Sequence, residues 1–142
     1  MEALGQPTIF EQMSVLADTL RARVLLALEG QELTVGELCA VLQLPQSTTS
    51  RHLRTLADGG WVASRPDGTR RLYHVTLDDL DAGARGLWLL AREEVAESAT
   101  ARQDGRRLAS VLAERRSRSQ EYFAGAAEQW DRVRDELFGR RS

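Results

Sequence analysis

With 142 residues, 42% hydrophobic and 28% charged, the chain suits one soluble globular domain plus an accessory element, or one compact helical protein. No apolar run approaches the ~20 residues of a membrane-spanning helix, and residues 86–91 are the longest candidate. A lone cysteine, Cys39, forbids an internal disulfide and the acidic N-terminus lacks a secretory pattern, so a cytoplasmic setting is expected. The net charge of -2 is unevenly spread, and every one of the 19 bases is arginine. Residues 1–45 hold six acids and two arginines, and residues 76–142 thirteen and twelve. Residues 46–75 reverse the balance, with five arginines against two aspartates. A polyanion is expected to bind there.

The spacing of Ile9, Met13, Leu16 and Ala17 predicts a first helix from about Thr8, and Leu20, Val24, Leu25 and Leu28 a second over about 18–29. Thr34 followed by Glu37 is a capping-box signature for a third helix with Val35, Leu38, Cys39 and Leu42 on its apolar face. After Pro45 a helix over 46–58 puts Thr49, Leu53, Leu56 and Ala57 on one side and Ser47, Thr48, Arg51, Arg54 and Thr55 on the other. Gly59 and Gly60 end it. Residues 61–65 and 70–75 read as strands joined through Asp67-Gly68, a hairpin signal, with Arg65, Arg70 and Arg71 near the tip. Beyond Val75 the pattern is helical. Leu77, Leu80, Ala84, Leu87, Ala91 and Val95 recur at heptad-like spacing beside Trp88 and Leu90, with Asp78, Asp79 and Asp81 in the first turn. Gly105 is a candidate break, and Phe123, Ala126, Trp130, Val133 and Leu137 form a last amphipathic stripe.

Two helices, a turn, a polar-faced helix and a basic hairpin follow the order of a winged helix-turn-helix, so the expected fold is mainly α with one small β-hairpin. Such a helix fits a major groove, where Arg pairs with guanine, and hairpin arginines reach phosphate. An arginine-bearing helix face alone is as often plain solvated surface. Two adjacent elements that both concentrate cations in an otherwise acidic chain point to nucleic acid.

Residues 37–75 resemble the ArsR/SmtB family of bacterial winged-helix repressors, through Leu44, Ser47, Ser50, Arg51, His52, Leu53, Leu56, Gly60, Val62, Arg65, Gly68, Tyr73 and Val75. With flanking helices the resemblance covers about residues 8–97. It implies a homodimer on a palindromic operator of double-stranded DNA, released by an effector. The polarity of the 46–58 helix suggests Ser47, Thr48, Arg51 and Arg54 as contacts, the resemblance adds Gln46 and Ser50, and the wing adds Arg65, Arg70 and Arg71. His52 belongs to the same signature and either packs at the helix flank or touches phosphate. The implied dimer helix carries Leu80, Ala84, Leu87, Trp88, Ala91 and Val95 and pairs with the N-terminal helix. Intramolecular packing is the other reading of that stripe.

Metal sensing is not expected. One family site needs Cys-x-Cys, but Val41 follows Cys39 at the second position, so Cys39 is a weak candidate only. Another needs histidines on the dimer helix, and none follows His74. Residues 115–139 resemble the junction of ArsR-type regulators fused to S-adenosylmethionine-dependent methyltransferases, through Tyr122, Phe123, Ala126, Trp130, Asp131, Arg134, Leu137, Phe138 and Gly139. An ordinary amphipathic helix capping a dimer fits equally. The expected division is therefore a winged domain over 1–97 and a helical extension or linker over 98–142. No enzyme activity and no cofactor are expected: no nucleophile–histidine pair or Gly-rich phosphate loop is present. S-adenosylmethionine or S-adenosylhomocysteine is the implied effector, with arsenite at Cys39 second. The alternative is a protein-interaction module of a methyltransferase, without DNA binding.

Overall fold

A computed structural model describes residues 7–138. Gly139, the end of the tail pattern, lies outside them. The order is α1 (Ile9–Leu16), α2 (Thr19–Ala27), α3 (Val35–Leu42), α4 (Gln46–Asp58), β1 (Val62–Asp67), β2 (Arg70–Val75), a 3-10 turn (Leu77–Asp79), α5 (Ala82–Ala96) and α6 (Ala99–Phe138). Two compact units result, one reaching Leu108 and the other starting at Ala109. Among the described residues no helix is long and apolar enough to cross a membrane.

Side-chain caps set most helix starts. The Thr8 hydroxyl accepts from the N–H of Glu11, and Asp18 from Leu20. At α3 the capping box is complete: Glu37 N–H donates to Thr34 Oγ1 (3.1 Å) and Thr34 N–H to Glu37 Oε1 (2.9 Å). Gly60, at φ +81°, ends α4 in a Schellman motif, with Trp61 N–H donating to Leu56 O and Gly60 N–H to Ala57 O. In the hairpin Asp67 pairs with Arg70, leaving Gly68 and Thr69 as a two-residue loop with positive φ at the glycine. The strand β1 therefore runs through Pro66, two residues further than the apolar pattern of 61–65.

The core of the first unit is formed by Val24, Leu25, Leu28, Leu33, Leu38, Val41, Leu42, Leu53, Leu56 and Trp61. Around it α2 packs on α3, α4 and α5, and α1 packs on α2 and α5. Polar ties reinforce this packing. The buried Gln12 donates from Nε2 to Gly59 O (3.0 Å) and accepts from Trp61 Nε1 (2.6 Å), joining α1 to the end of α4. A Cβ on Gly59 would lie 2.9 Å from Trp61 Cδ1, so the close approach requires glycine.

On α1, Ile9 and Met13 are exposed and Gln12 is the residue the helix buries. Two expectations are corrected. The aspartates after Val75 do not share a first helical turn. Asp78 and Asp79 lie in the 3-10 turn, and Asp81 caps α5 through the N–H of Ala84. Helix α6 passes through Gly105 unbroken and the break falls before it, where Ser98 Oγ accepts from Ala101 N–H. A mid-helix glycine costs only about 1 kcal/mol relative to alanine. Its neighbour Asp104 anchors that turn, taking two hydrogen bonds from Arg23 (2.7 and 2.9 Å) and one from Arg107 (2.9 Å).

Candidate nucleic-acid interface

The polarity of α4 is set by what its buried side holds. Thr49, His52, Leu53 and Leu56 face the core, while Gln46, Ser47, Ser50, Arg51 and Arg54 are exposed and Thr48 and Thr55 half-buried. Arg51 and Arg54 have no carboxylate partner among the described residues. The helix starts at Pro45 with no side-chain cap, unlike α1, α2, α3 and α5, which leaves its N-terminal turn open to an anion.

His52 is corrected out of the contact group, being only 5% exposed. Its Nδ1 lies 3.4 Å from Arg21 Nη1. A guanidinium only donates, so Nδ1 accepts and the ring proton sits on Nε2, which is buried with no partner among the described residues. Burial pushes the His52 pKa below its ordinary 6.5; Asp18 opposes that shift and Arg21 and Arg51 add to it. Arg21 also closes the end of α1, donating from Nε to Val15 O (2.6 Å) and from Nη2 to Ser14 O (3.1 Å). The SRHL stretch is thus split: Arg51 outward, His52 and Leu53 inward, at adjacent positions.

On the wing, Arg65, Arg70 and Arg71 are all exposed. Arg71 Nε donates to Ser64 Oγ across the hairpin (2.9 Å). Arg65 is ion-paired with Glu32, a residue whose part in the wing sequence reasoning missed. His74, half-buried on β2, has Nδ1 3.5 Å from the same carboxylate. An open cleft of about 450 Å³ is lined by Gln12, Gly60, Thr76, Asp79 and Asp81 among others, and its aspartates make it unsuited to a polyanion.

Of the expected dimer residues, Leu80, Ala84 and Trp88 are buried within the protomer, and Leu87, Ala91 and Val95 are half-buried. What α1 and α5 leave outside is Ile9, Phe10 (76% exposed), Met13, Leu89 and Leu90 (72%). Periodicity could not separate these from core residues, since both sets are apolar at helical spacing. Cys39 is half-buried, its thiol 3.5 Å from the Thr49 hydroxyl, and the described residues hold no cluster of three metal-ligating side chains.

With this geometry in place, comparison with known proteins is specific. Residues 18–64 match the family model for bacterial regulatory proteins of the arsR family. The arsenical resistance operon repressor of Staphylococcus aureus is 34% identical over 71 residues, spanning 48% of this chain and 68% of that repressor. The chain belongs to the arsR family of bacterial regulatory proteins. Among solved structures, NolR from Sinorhizobium fredii is similar with a TM-score of 0.52 at 27% identity, over 63% of this chain and 85% of that one. The homodimeric winged helix-turn-helix DNA-binding domain of a possible ArsR-family regulator from Mycobacterium bovis has a TM-score of 0.51 at 24% identity, over 64% and 81%. That likeness shows the fold, a winged helix-turn-helix. The methyltransferase-module alternative finds no support among these proteins. The family match ends at Ser64, so the tail's resemblance to a fusion junction rests on its own residues.

Proposed function

We propose that this arsR-family chain is a cytoplasmic transcriptional repressor that binds double-stranded DNA as a homodimer. The observation that carries the reading is the exposed face of α4, where Arg51 and Arg54 stand without a carboxylate partner among the described residues, beside an uncapped helix start. Helix α4 enters the major groove with Gln46, Ser47, Thr48, Ser50, Arg51 and Arg54 facing the bases and nearby phosphates. Arg70 and Arg71 on the wing meet the backbone. The exposed apolar side chains of α1 and α5 form the dimer face, extended by the half-buried Leu87, Ala91 and Val95. Two-fold symmetry then sets the α4 helices about one DNA turn apart, ~34 Å, on an inverted repeat.

The test is fluorescence anisotropy on the DNA upstream of the gene, against scrambled duplex, at several salt concentrations. Specific, salt-sensitive binding is expected, and equal binding to scrambled DNA at all salts refutes the reading. Arg51→Ala is expected to cost about 1–3 kcal/mol with relaxed specificity at one base, and Arg70→Ala to lower the salt slope by about one. Effectors are sought by adding S-adenosylmethionine, S-adenosylhomocysteine or arsenite to the preformed complex and following release of the duplex.

A further inference from the structure

Arg65 stands in the basic patch, yet its charge already has a partner. The N–H of Leu33 donates to Tyr73 O (3.1 Å) and the N–H of Tyr73 to Leu33 O (2.8 Å), so the segment before α3 adds one residue pair to the edge of β2. That pairing sets Glu32 beside His74. The hairpin register pairs His74 with Ala63 and Leu72 with Arg65, which puts Glu32, His74, Leu72 and Arg65 on one side of the ribbon. Arg65 therefore reaches across β2. Its Nε lies 2.8 and 3.1 Å from the two Glu32 oxygens, and its Nη2 lies 2.7 Å from Oε1. The hydrogen bonds that Arg65 donates to Glu32, then the carboxylate's charge, raise the Arg65 pKa above the ordinary arginine value. Arg51, Arg54 and Arg70 have no such partner among the described residues.

On the reading of the chain as a DNA-binding protein, we infer that Glu32 is a positioning residue of the wing, holding Arg65 as a neutral pair across β2. Arg65 braces the hairpin and is not one of the cations that neutralise phosphate. The consequence is measurable, because each phosphate contact releases counterions and adds about 0.9 to the slope of log affinity against log salt. A guanidinium matched by a carboxylate adds nothing. Two exposed wing arginines, five residues apart, then differ in kind: Arg70 counts and Arg65 does not.

The experiment measures salt slopes on duplex DNA for the wild type, Arg65→Ala, Glu32→Gln and the double variant, with circular dichroism confirming the fold. Arg65→Ala is expected to keep the wild-type slope. Glu32→Gln frees the guanidinium and steepens the slope by about 0.9, and the double variant returns to wild type. A slope lowered by about 0.9 in Arg65→Ala overturns the inference, and so does a double variant as steep as Glu32→Gln. If the wild type binds no duplex, the DNA reading falls, and elution from heparin, itself a polyanion, still decides this pair. Arg65→Ala eluting with wild type while Arg54→Ala elutes earlier supports it. Arg65→Ala eluting as early as Arg54→Ala overturns it.

Discussion

Helix α6 is one continuous element with two different halves. Residues 99–108 belong to the first unit, where Ala101 and Asp104 are buried and Arg107 donates from Nε to Val41 O (2.6 Å). From Ala109 to Leu137 the side chains are exposed or half-buried, and Tyr122, Phe123, Trp130 and Leu137 are all more than three-fifths exposed. What orders that second half is local: a sequence rich in alanine, glutamate, glutamine and arginine, the edge-to-face contact of Tyr122 and Phe123 and the Arg134–Asp131 pair. Helicity and tertiary anchorage are therefore separate properties, and along α6 the anchorage comes from Ala101, Asp104 and Arg107.

That comparison breaks most visibly at Asp104. Asp104→Ala leaves Arg23, only 13% exposed, without its carboxylate and is expected to cost about 3–5 kcal/mol in urea unfolding. Hydrogen exchange should then show residues 99–108 as fast as the segment after Ala109. Unchanged stability would mean the two halves do not differ as described. The polar tie at the other end of the unit is weaker. Gln12→Ala strips the partner from Trp61 Nε1 and should cost about 1–3 kcal/mol, read in the same titration. His52 adds a dependence on pH. Its pKa is lowered in the folded state, so below 6.5 the unfolded chain binds more protons. Stability should be flat above that pH and fall as pH drops through 6.5 toward the folded value. Thermal melts of wild type and His52→Gln between about pH 5 and 8 check this, and equal pH profiles would exclude His52 as the cause. The smallest effect belongs to the second half of α6. Trp130→Ala, at an exposed site, should shift unfolding of the first unit by no more than about 0.5 kcal/mol.

Features written in neighbouring residues were legible in the sequence. The Thr34–Glu37 capping box, the span of α4, the Gly60 terminus and the Gly68 hairpin each follow from chemistry a few residues apart. The exposed faces of α4 and the wing were legible too, because charge segregates there. Missed were the pairings that cross the chain. Arg23 and Asp104 are 81 positions apart, and Glu32 and Arg65 are 33 apart. Periodicity also does not say which side of a helix is inside: on α1 it marks Ile9 and Met13, which are exposed, while the fold buries Gln12. His52 was open between packing at the helix flank and touching phosphate. A histidine beside an arginine in a basic stretch resembles a phosphate contact until the turn of the helix carries it inward.

The single residue pair of Leu33 and Tyr73 also divides the wing in time. Its two hydrogen bonds hold the base of the hairpin from a second side, with the Arg65–Glu32 pair beside them, while residues 66–71 are exposed and lie beyond that support. Amide exchange should therefore be slow at Tyr73 and fast around Gly68. The wing is a stiff root with a compliant tip: the tip can adjust to the width of a groove while the root keeps α4 in register.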